Sequence, residues 1–263
     1  MKSTTNRFSI KNKLLVIFGL LVFTATLMLG FLAVRIARKA VVEKVEAHLI
    51  DKANDVSSII EGRMAALFQF IGGIARMPAL RDEDISLKDK ALSLRSEVEQ
   101  NAKINLLGVC DLQGTRFDSS GQETFVGDRE WFQAALKGNN FIAEPLVSRS
   151  TNRLQIILAV PIKNDSGAVI GVLSAGIPGQ QISDDIADIV VGETGECYIL
   201  GRKGTTVGHK NRGAVDKLYN LIEASKDAPA LASAAQFLKR ALEVEESEVG
   251  YYTYNKVDYI ASF

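Results

Sequence analysis

Histidine and cysteine are nearly missing from this chain, two of each in 263 residues, and with them goes most of the chemistry of a metal site. His48 and His209 stand far apart with no cysteine or carboxylate cluster at ligand spacing, so neither a metal centre nor another cofactor is expected. Cys110 and Cys197 fall in different expected modules; a chain of this size buries a core without a disulfide framework, and both read as small buried strand residues. An excess of either charge is lacking too, with 31 basic against 31 acidic residues, which leaves no polycation strip for nucleic acid. Gly192-x-x-Gly195 is a turn before a strand, without a GxGxxG or Walker pattern near it, and no GxSxG elbow marks a hydrolase nucleophile. No enzyme is expected.

What the chain does have is an apolar run. Leu14 to Val34 holds 21 residues without a charge, and only Thr24 and Thr26 carry polar side chains. As a helix it reaches roughly 31 Å, the thickness of a bilayer's hydrocarbon core. A buried core helix would show a polar stripe, which no register of this run provides. The run exceeds the h-region of a cleaved signal peptide, and no small-x-small cleavage site precedes Arg35. An uncleaved membrane anchor is the reading. Residues 1–13 carry Lys2, Arg7, Lys11 and Lys13 and no acid, and so stay cytoplasmic; Arg35, Arg38 and Lys39 oppose that orientation, while Glu43 and Glu46 follow them. Everything beyond about residue 35 is then outside the cell's inner membrane, with the lipid bilayer as the first partner.

Past the run, Val45, Leu49, Ala53, Val56, Ile60, Met64, Leu67, Ile71 and Ile74 recur at steps of three and four with charges between them, which predicts one long amphipathic helix. Its apolar stripe packs either on its own domain or on a second copy. Gly72-Gly73 and Met77-Pro78 end it. A second helix is expected from the N-cap Ser86 through Ala102.

From Ile104 the period shortens. Strands are expected at Ile104–Leu112, Thr115–Asp118, Phe141–Ser148, Leu154–Ile162 and Val169–Ile177, with Asp128 capping a short helix from Arg129 to Leu136. Neighbouring hairpins make the sheet antiparallel and the fold class α+β. After Pro178 the theme recurs: a connecting helix at Ile182–Ile189, a hairpin at Glu196–Leu200 and Thr205–His209, helices around Lys217–Ala224 and Leu231–Val244, and a last hairpin at Glu248–Tyr254 and Asp258–Phe263.

The order of span, long helix, VGDREWFQAALKGN, LQIILAVPIKNDSGAVIGVLSAGI, VGETGECYILGRKGTTVGHKN and VGYYTYNKVDYIASF resembles the double-Cache sensor region of bacterial methyl-accepting chemotaxis receptors. The resemblance implies two PAS-like antiparallel-sheet modules in series, membrane-distal over 35–180 and membrane-proximal over 181–263, with a small-molecule pocket in the first. A homodimer is the expected assembly. The resemblance also implies a second transmembrane helix, a HAMP segment and an output domain; since the chain halts at Phe263, in what should be a strand continuing inward, the sequence reads as a fragment or a truncated gene product.

In that family, amino-acid sensors carry an arginine, one spacer, a tryptophan and an aromatic, matched here by Arg129, Trp131 and Phe132; Ser148 and Ser174, on strands facing this helix, are further ligand candidates. A guanidinium fork grips a carboxylate through two parallel hydrogen bonds, and rings beside it keep water out. The alternative is that Trp131 and Phe132 pack the helix on the sheet while Arg129 pairs with a surface acid. Two departures stand out: the resemblance puts an aspartate where Gly176 stands and a tyrosine where Thr124 stands. Without that aspartate an α-amino group is poorly compensated, so a short organic acid rivals an amino acid as the ligand. The expected function is extracytoplasmic sensing for a chemotaxis receptor; the sensor region of a histidine kinase or a cyclic-dinucleotide enzyme is the main alternative, and a membrane-tethered hydrolase a remote one.

Overall fold

The apolar run and the amphipathic stretch form one unbroken helix in the computed structural model, which describes residues 10–192 and 195–263. This helix, α1 (Ile10–Ala75), has 66 residues. Its N-terminal portion is long and apolar enough to cross a membrane, and every residue from Ile10 to Val45 is exposed. The character then changes with the sequence: Val56, Leu67, Ile71, Ile74 and Ala75 are buried, so the apolar stripe packs on the chain's own domain along most of its length. Gly72 and Gly73 lie within the helix and do not end it. The stop comes at Met77, held extended at φ −58°, ψ 135° because it precedes Pro78.

Three short helices follow: α2 (Pro78–Arg81), α3 (Leu87–Ser93) and α4 (Arg95–Gln100). Ser86 caps α3, its hydroxyl accepting from the Asp89 N–H at 3.1 Å. The single helix expected through Ala102 is broken at Leu94, which is buried at 1% exposure. Driving that side chain into the core takes precedence over keeping the helix continuous.

The central sheet has seven strands. In chain order these are β1 (Leu106–Cys110), β2 (Thr115–Asp118), β3 (Glu123–Phe125), then α5 (Glu130–Leu136), β4 (Phe141–Ile142), β5 (Leu146–Val147), β6 (Leu154–Lys163) and β7 (Val169–Pro178). They pair antiparallel in the order β3-β2-β1-β7-β6-β4, with β5 also on β6. One face puts Leu107, Val109, Ile156, Leu158, Leu173 and Ile177 against α1 and α3. The other puts Cys110, Ile157, Ala159 and Val172 against Trp131, Phe132 and Ala135 of α5. Both faces of β6 and β7 are therefore buried, which is why their sequences read as continuous apolar runs. The strand expected over Phe141–Ser148 is two pieces, because Pro145 between them has no N–H for the ladder.

Beyond β7 come α6 (Gln181–Asp185), the hairpin β8 (Tyr198–Leu200) and β9 (Thr206–His209), the helices α7 (Arg212–Asp216), α8 (Leu221–Ala224) and α9 (Ala232–Glu243), and the hairpin β10 (Val249–Tyr254) and β11 (Val257–Ser262). The two hairpins are separate two-stranded sheets. The last one rests on α1, where the Ser262 hydroxyl donates to the Leu49 carbonyl at 2.6 Å, and α6 is tied to the same helix by an Arg63–Asp185 ion pair at 2.6 Å. Along α1 the order is thus apolar run, C-terminal hairpin, seven-stranded sheet.

Candidate functional site

Gly108 is the only glycine in β1, and its place is set by an arginine. Its register partners are Asp118 on β2 and Ser174 on β7. Arg116, two residues before Asp118 on the same face of β2, crosses over Gly108 and donates from Nε to Ser174 Oγ at 3.0 Å. A Cβ at position 108 would lie 2.3 Å from that nitrogen, so only glycine leaves the passage open. Ser174 in turn donates to the Gly108 carbonyl at 3.1 Å. Arg116 is 6% exposed, and burial lowers its pKa. Its nearest acid, Asp118, stands 3.8 Å from a terminal nitrogen, while Asp118 Oδ1 accepts from the Ser120 N–H, the Ser120 hydroxyl and the Gln122 N–H.

Across the cavity, α5 starts at Arg129. The expected cap, Asp128, does not cap it: Arg129 holds the N-cap position and makes no capping side-chain bond. The Asp128 carboxylate is instead gripped by both terminal nitrogens of Arg149, each at 2.7 Å, a geometry no N-cap hydrogen bond matches in strength. Those bonds hold the Asp128 carboxyl down to about 2. Arg129 itself has no ion pair or side-chain hydrogen bond among the described residues. Burial first, then the neighbouring Arg149 guanidinium, lowers its pKa. Its donors are therefore free to meet a partner from outside the chain.

Between these groups lies a cavity of about 30 Å³. Arg116, Arg129 and Arg149 line it with Thr124, Ser148, Ser150 and Ser174, and Val126, Trp131, Leu146 and Ile157 supply apolar wall. No carboxylate is among the lining residues. Four of the five sequence candidates, Arg129, Trp131, Ser148 and Ser174, meet here. Phe132 does not: it is 1% exposed within the core cluster behind the wall, its ring 6.3 Å from that of Trp131 and perpendicular to it. On an α-helix adjacent residues point about 100° apart, and here Trp131 takes the cavity side while Phe132 turns into the core.

Arg116 and Arg149 were not among the sequence candidates. A signal for Arg116 existed, since a glycine inside the apolar strand LLGVC marks a close approach by another group. Arg149 had none, sitting in a polar turn whose distance from Asp128 only the fold decides. Gly176, where the resemblance puts an aspartate, is covered by Gln155: a Cβ there would lie 3.0 Å from Gln155 Oε1. Gln155 is 2% exposed, and its Oε1 has no hydrogen-bond partner, as is also true of Thr124 Oγ1 on the cavity wall.

Elsewhere the chemistry is sparse. Cys110 is fully buried and its thiol pushed up to about 12, chiefly by that burial. No group of three or more metal-ligating side chains occurs among the described residues. A larger open cleft of about 330 Å³ runs between α9 and the last hairpin; its one charged lining residue, Arg240, is already paired with Glu248 at 2.6 Å.

A seven-stranded antiparallel sheet thus stands at the end of a membrane-length helix, with an arginine-lined cavity on one of its faces. The Cache domain model matches residues 33–263, and the chain belongs to that family. The methyl-accepting chemotaxis protein McpB of Bacillus subtilis is 25% identical over 224 residues, 80% of this chain and 32% of that protein, so the chain spans about a third of its relative's length. Among solved structures, the ligand-binding domain of the Pseudomonas fluorescens chemoreceptor CtaA with L-isoleucine aligns with a TM-score of 0.64 at 16% identity, covering 85% of this chain and 86% of that one. The ligand-binding domain of the Campylobacter jejuni chemoreceptor Tlp3 with 4-methylisoleucine gives 0.62 at 15% identity over 83% and 85%. The ligand-binding domain of Mlp24 with asparagine gives 0.56 at 17% identity over 82% and 84%. At these identities the likeness is one of fold.

Proposed function

We propose that this chain is the extracytoplasmic sensing region of a bacterial transmembrane chemotaxis receptor, that it binds a small carboxylate-bearing solute through Arg129, and that it works as a homodimer in the inner membrane. The observation carrying the reading is the unpaired Arg129 guanidinium at a cavity with Trp131 beside it. Supporting it are the Cache family membership and the receptor relatives, three of which are described with isoleucine, 4-methylisoleucine or asparagine. In this reading the chain after α6 is a second, membrane-proximal module, and the exposed Val41, Val42 and Val45 of α1 face a second copy.

A cavity of about 30 Å³ has room for little more than water, so admitting a solute moves its walls. The Arg149–Asp128 pair at the rim, with side chains 41% and 55% exposed, is the least costly part to displace. A solute that favours the opened arrangement shifts the protein toward it, and that differential affinity is what α1 carries to the bilayer.

The test is a thermal-shift screen of amino acids and short organic acids on the full chain in detergent micelles. Ligands that bind only the folded state raise its melting temperature. Arg129→Lys is expected to lose most of the shift, since an ammonium keeps the charge but not the planar two-donor fork. Trp131→Ala weakens binding and costs some stability as well. An Arg129→Ala protein that keeps every ligand shift overturns the assignment of the site.

A further inference from the structure

We infer that the solute is a short dicarboxylate without an ammonium group, its first carboxylate on Arg129 and its second on Arg116 in the depth of the same cavity. The inference rests on the reading of this cavity as the ligand site and goes beyond it to the class of ligand.

Two donors at different depths carry the argument. Arg129 is partly exposed at the start of α5, whereas Arg116 is almost wholly buried and anchored to Ser174 through Nε alone. Its terminal nitrogens form no hydrogen bond among the described residues, because Asp118, at 3.8 Å, is turned to the β2–β3 connection by three donors of its own. These terminal N–H groups reach the cavity lining without a hydrogen-bond acceptor among the described residues, and a carboxylate brought to them accepts charge-assisted bonds. Thr124, register partner of Arg116 on β3, adds an unpartnered hydroxyl on the same wall.

Formal charge alone does not demand a dianion, since Asp118 and Asp128 stand behind two of the three arginines. The Asp128–Arg149 pair, however, sits at the exposed rim, where water screens it, and counts for little inside. What decides is the supply of unfilled donors, which Arg116 and Arg129 both have. An ammonium finds the reverse: three guanidiniums, no carboxylate on the lining, and as acceptors the neutral hydroxyls of Thr124, Ser148, Ser150 and Ser174 with the Gln155 carbonyl next to Gly176. A cation there is repelled and poorly solvated.

Calorimetric titration of the full chain in micelles with succinate, butyrate and aspartate separates the possibilities. Succinate is expected to bind about tenfold or more tighter than butyrate, the size of one lost set of charge-assisted bonds. It is also expected to exceed aspartate, which has the same two carboxylates and an added ammonium. Arg116→Lys should shrink the succinate advantage over butyrate while leaving butyrate binding, and Arg129→Ala should abolish both. Butyrate equal to succinate, or aspartate above succinate, overturns the dicarboxylate while the site at Arg129 stands. No heat with any of the three, when other solutes still bind the unaltered protein and depend on Arg129, overturns the ligand class; binding by no solute, or only binding that Arg129→Ala leaves intact, overturns both readings. The wild-type series needs no variant, so a misfolded Arg116→Lys protein does not spoil the test.

Discussion

Asp128 and Arg149 show how one ion pair sets both a pH response and the rim of a site. In the unfolded chain the Asp128 carboxyl titrates near its ordinary value of 3.8; in the fold, the hydrogen bonds from Arg149 hold it down to about 2. A depressed folded pKa contributes stability that is fully present above the unfolded value and is lost as pH falls toward the folded one. Asp128→Asn should therefore narrow the fall in stability between about pH 4 and about pH 2, by a small amount at an exposed site and less in high salt. Urea midpoints of both proteins at the two ends of that window check it. Gly108 makes the harsher prediction. Gly108→Ala puts a methyl group 2.3 Å from Arg116 Nε and must push the guanidinium off Ser174. The expected cost is about 1–3 kcal/mol by calorimetry, as for an overpacked core, together with weaker binding of anions. Arg129, Trp131, Ser148 and Ser174 were reachable in the sequence because they lie in a motif or on the strands beside it. For Arg116 the glycine in LLGVC announces only that some group approaches β1, while strand register decides which one; Arg149 is brought to the cavity by the path of a turn, which no local pattern encodes.

At the scale of the element, the long helix and the two long central strands were legible for the same reason, that each is apolar over a length only one structure can bury. Ile71 is a fair probe of that burial: it is 0% exposed in the core between α1 and the sheet, and Ile71→Ala should cost about 2–5 kcal/mol, read from denaturant midpoints. The short elements were less legible. Leu94 divides an expected helix and Pro145 an expected strand, and β3 escaped notice because its three residues, two of them exposed, carry no apolar signature. The last hairpin turns through Asn255 and Lys256 at φ of 51° and 65°, both in the left-handed region. Asn-Gly is the sequence such a two-residue turn favours, because a lysine there bears steric strain that glycine escapes. Lys256→Gly is expected to stabilise the chain by about 0.5–1 kcal/mol. An unchanged melting temperature would mean that the greater freedom of glycine in the unfolded chain offsets the relief.

For the whole molecule, the organising fact is that one helix joins the apolar run to both the central sheet and the C-terminal hairpin. Arg63 on α1 pairs with Asp185, Leu49 accepts from Ser262, and Ile71 lies under the central sheet, so a shift of the helix is felt by the hairpin and the sheet together. That continuity makes orientation the decisive property, because a sensor on the wrong side of the bilayer samples the wrong solutes. The N-terminal flank bears Lys2, Arg7, Lys11 and Lys13 without an acid, and the basic residues after the run, Arg35, Arg38 and Lys39, are soon followed by Glu43 and Glu46. Acids contribute little to topology, so the comparison is four basic residues before the run against four after it, Arg35, Arg38, Lys39 and Lys44, an even balance; the cytoplasmic N-terminus is the orientation that the proposed sensing role requires. A reporter active only outside the cytoplasm, fused after Phe263, should therefore be active, and one that fluoresces only in the cytoplasm should be dark. The even balance sharpens the test: removing the charges of Lys2, Arg7, Lys11 and Lys13 by substitution with glutamine should invert a fraction of the molecules, whereas the same change at Arg35, Arg38 and Lys39 should leave the fusion fully active. Cytoplasmic fluorescence from the unaltered fusion would reverse the orientation and, with it, the assignment of the Arg129 cavity to external solutes.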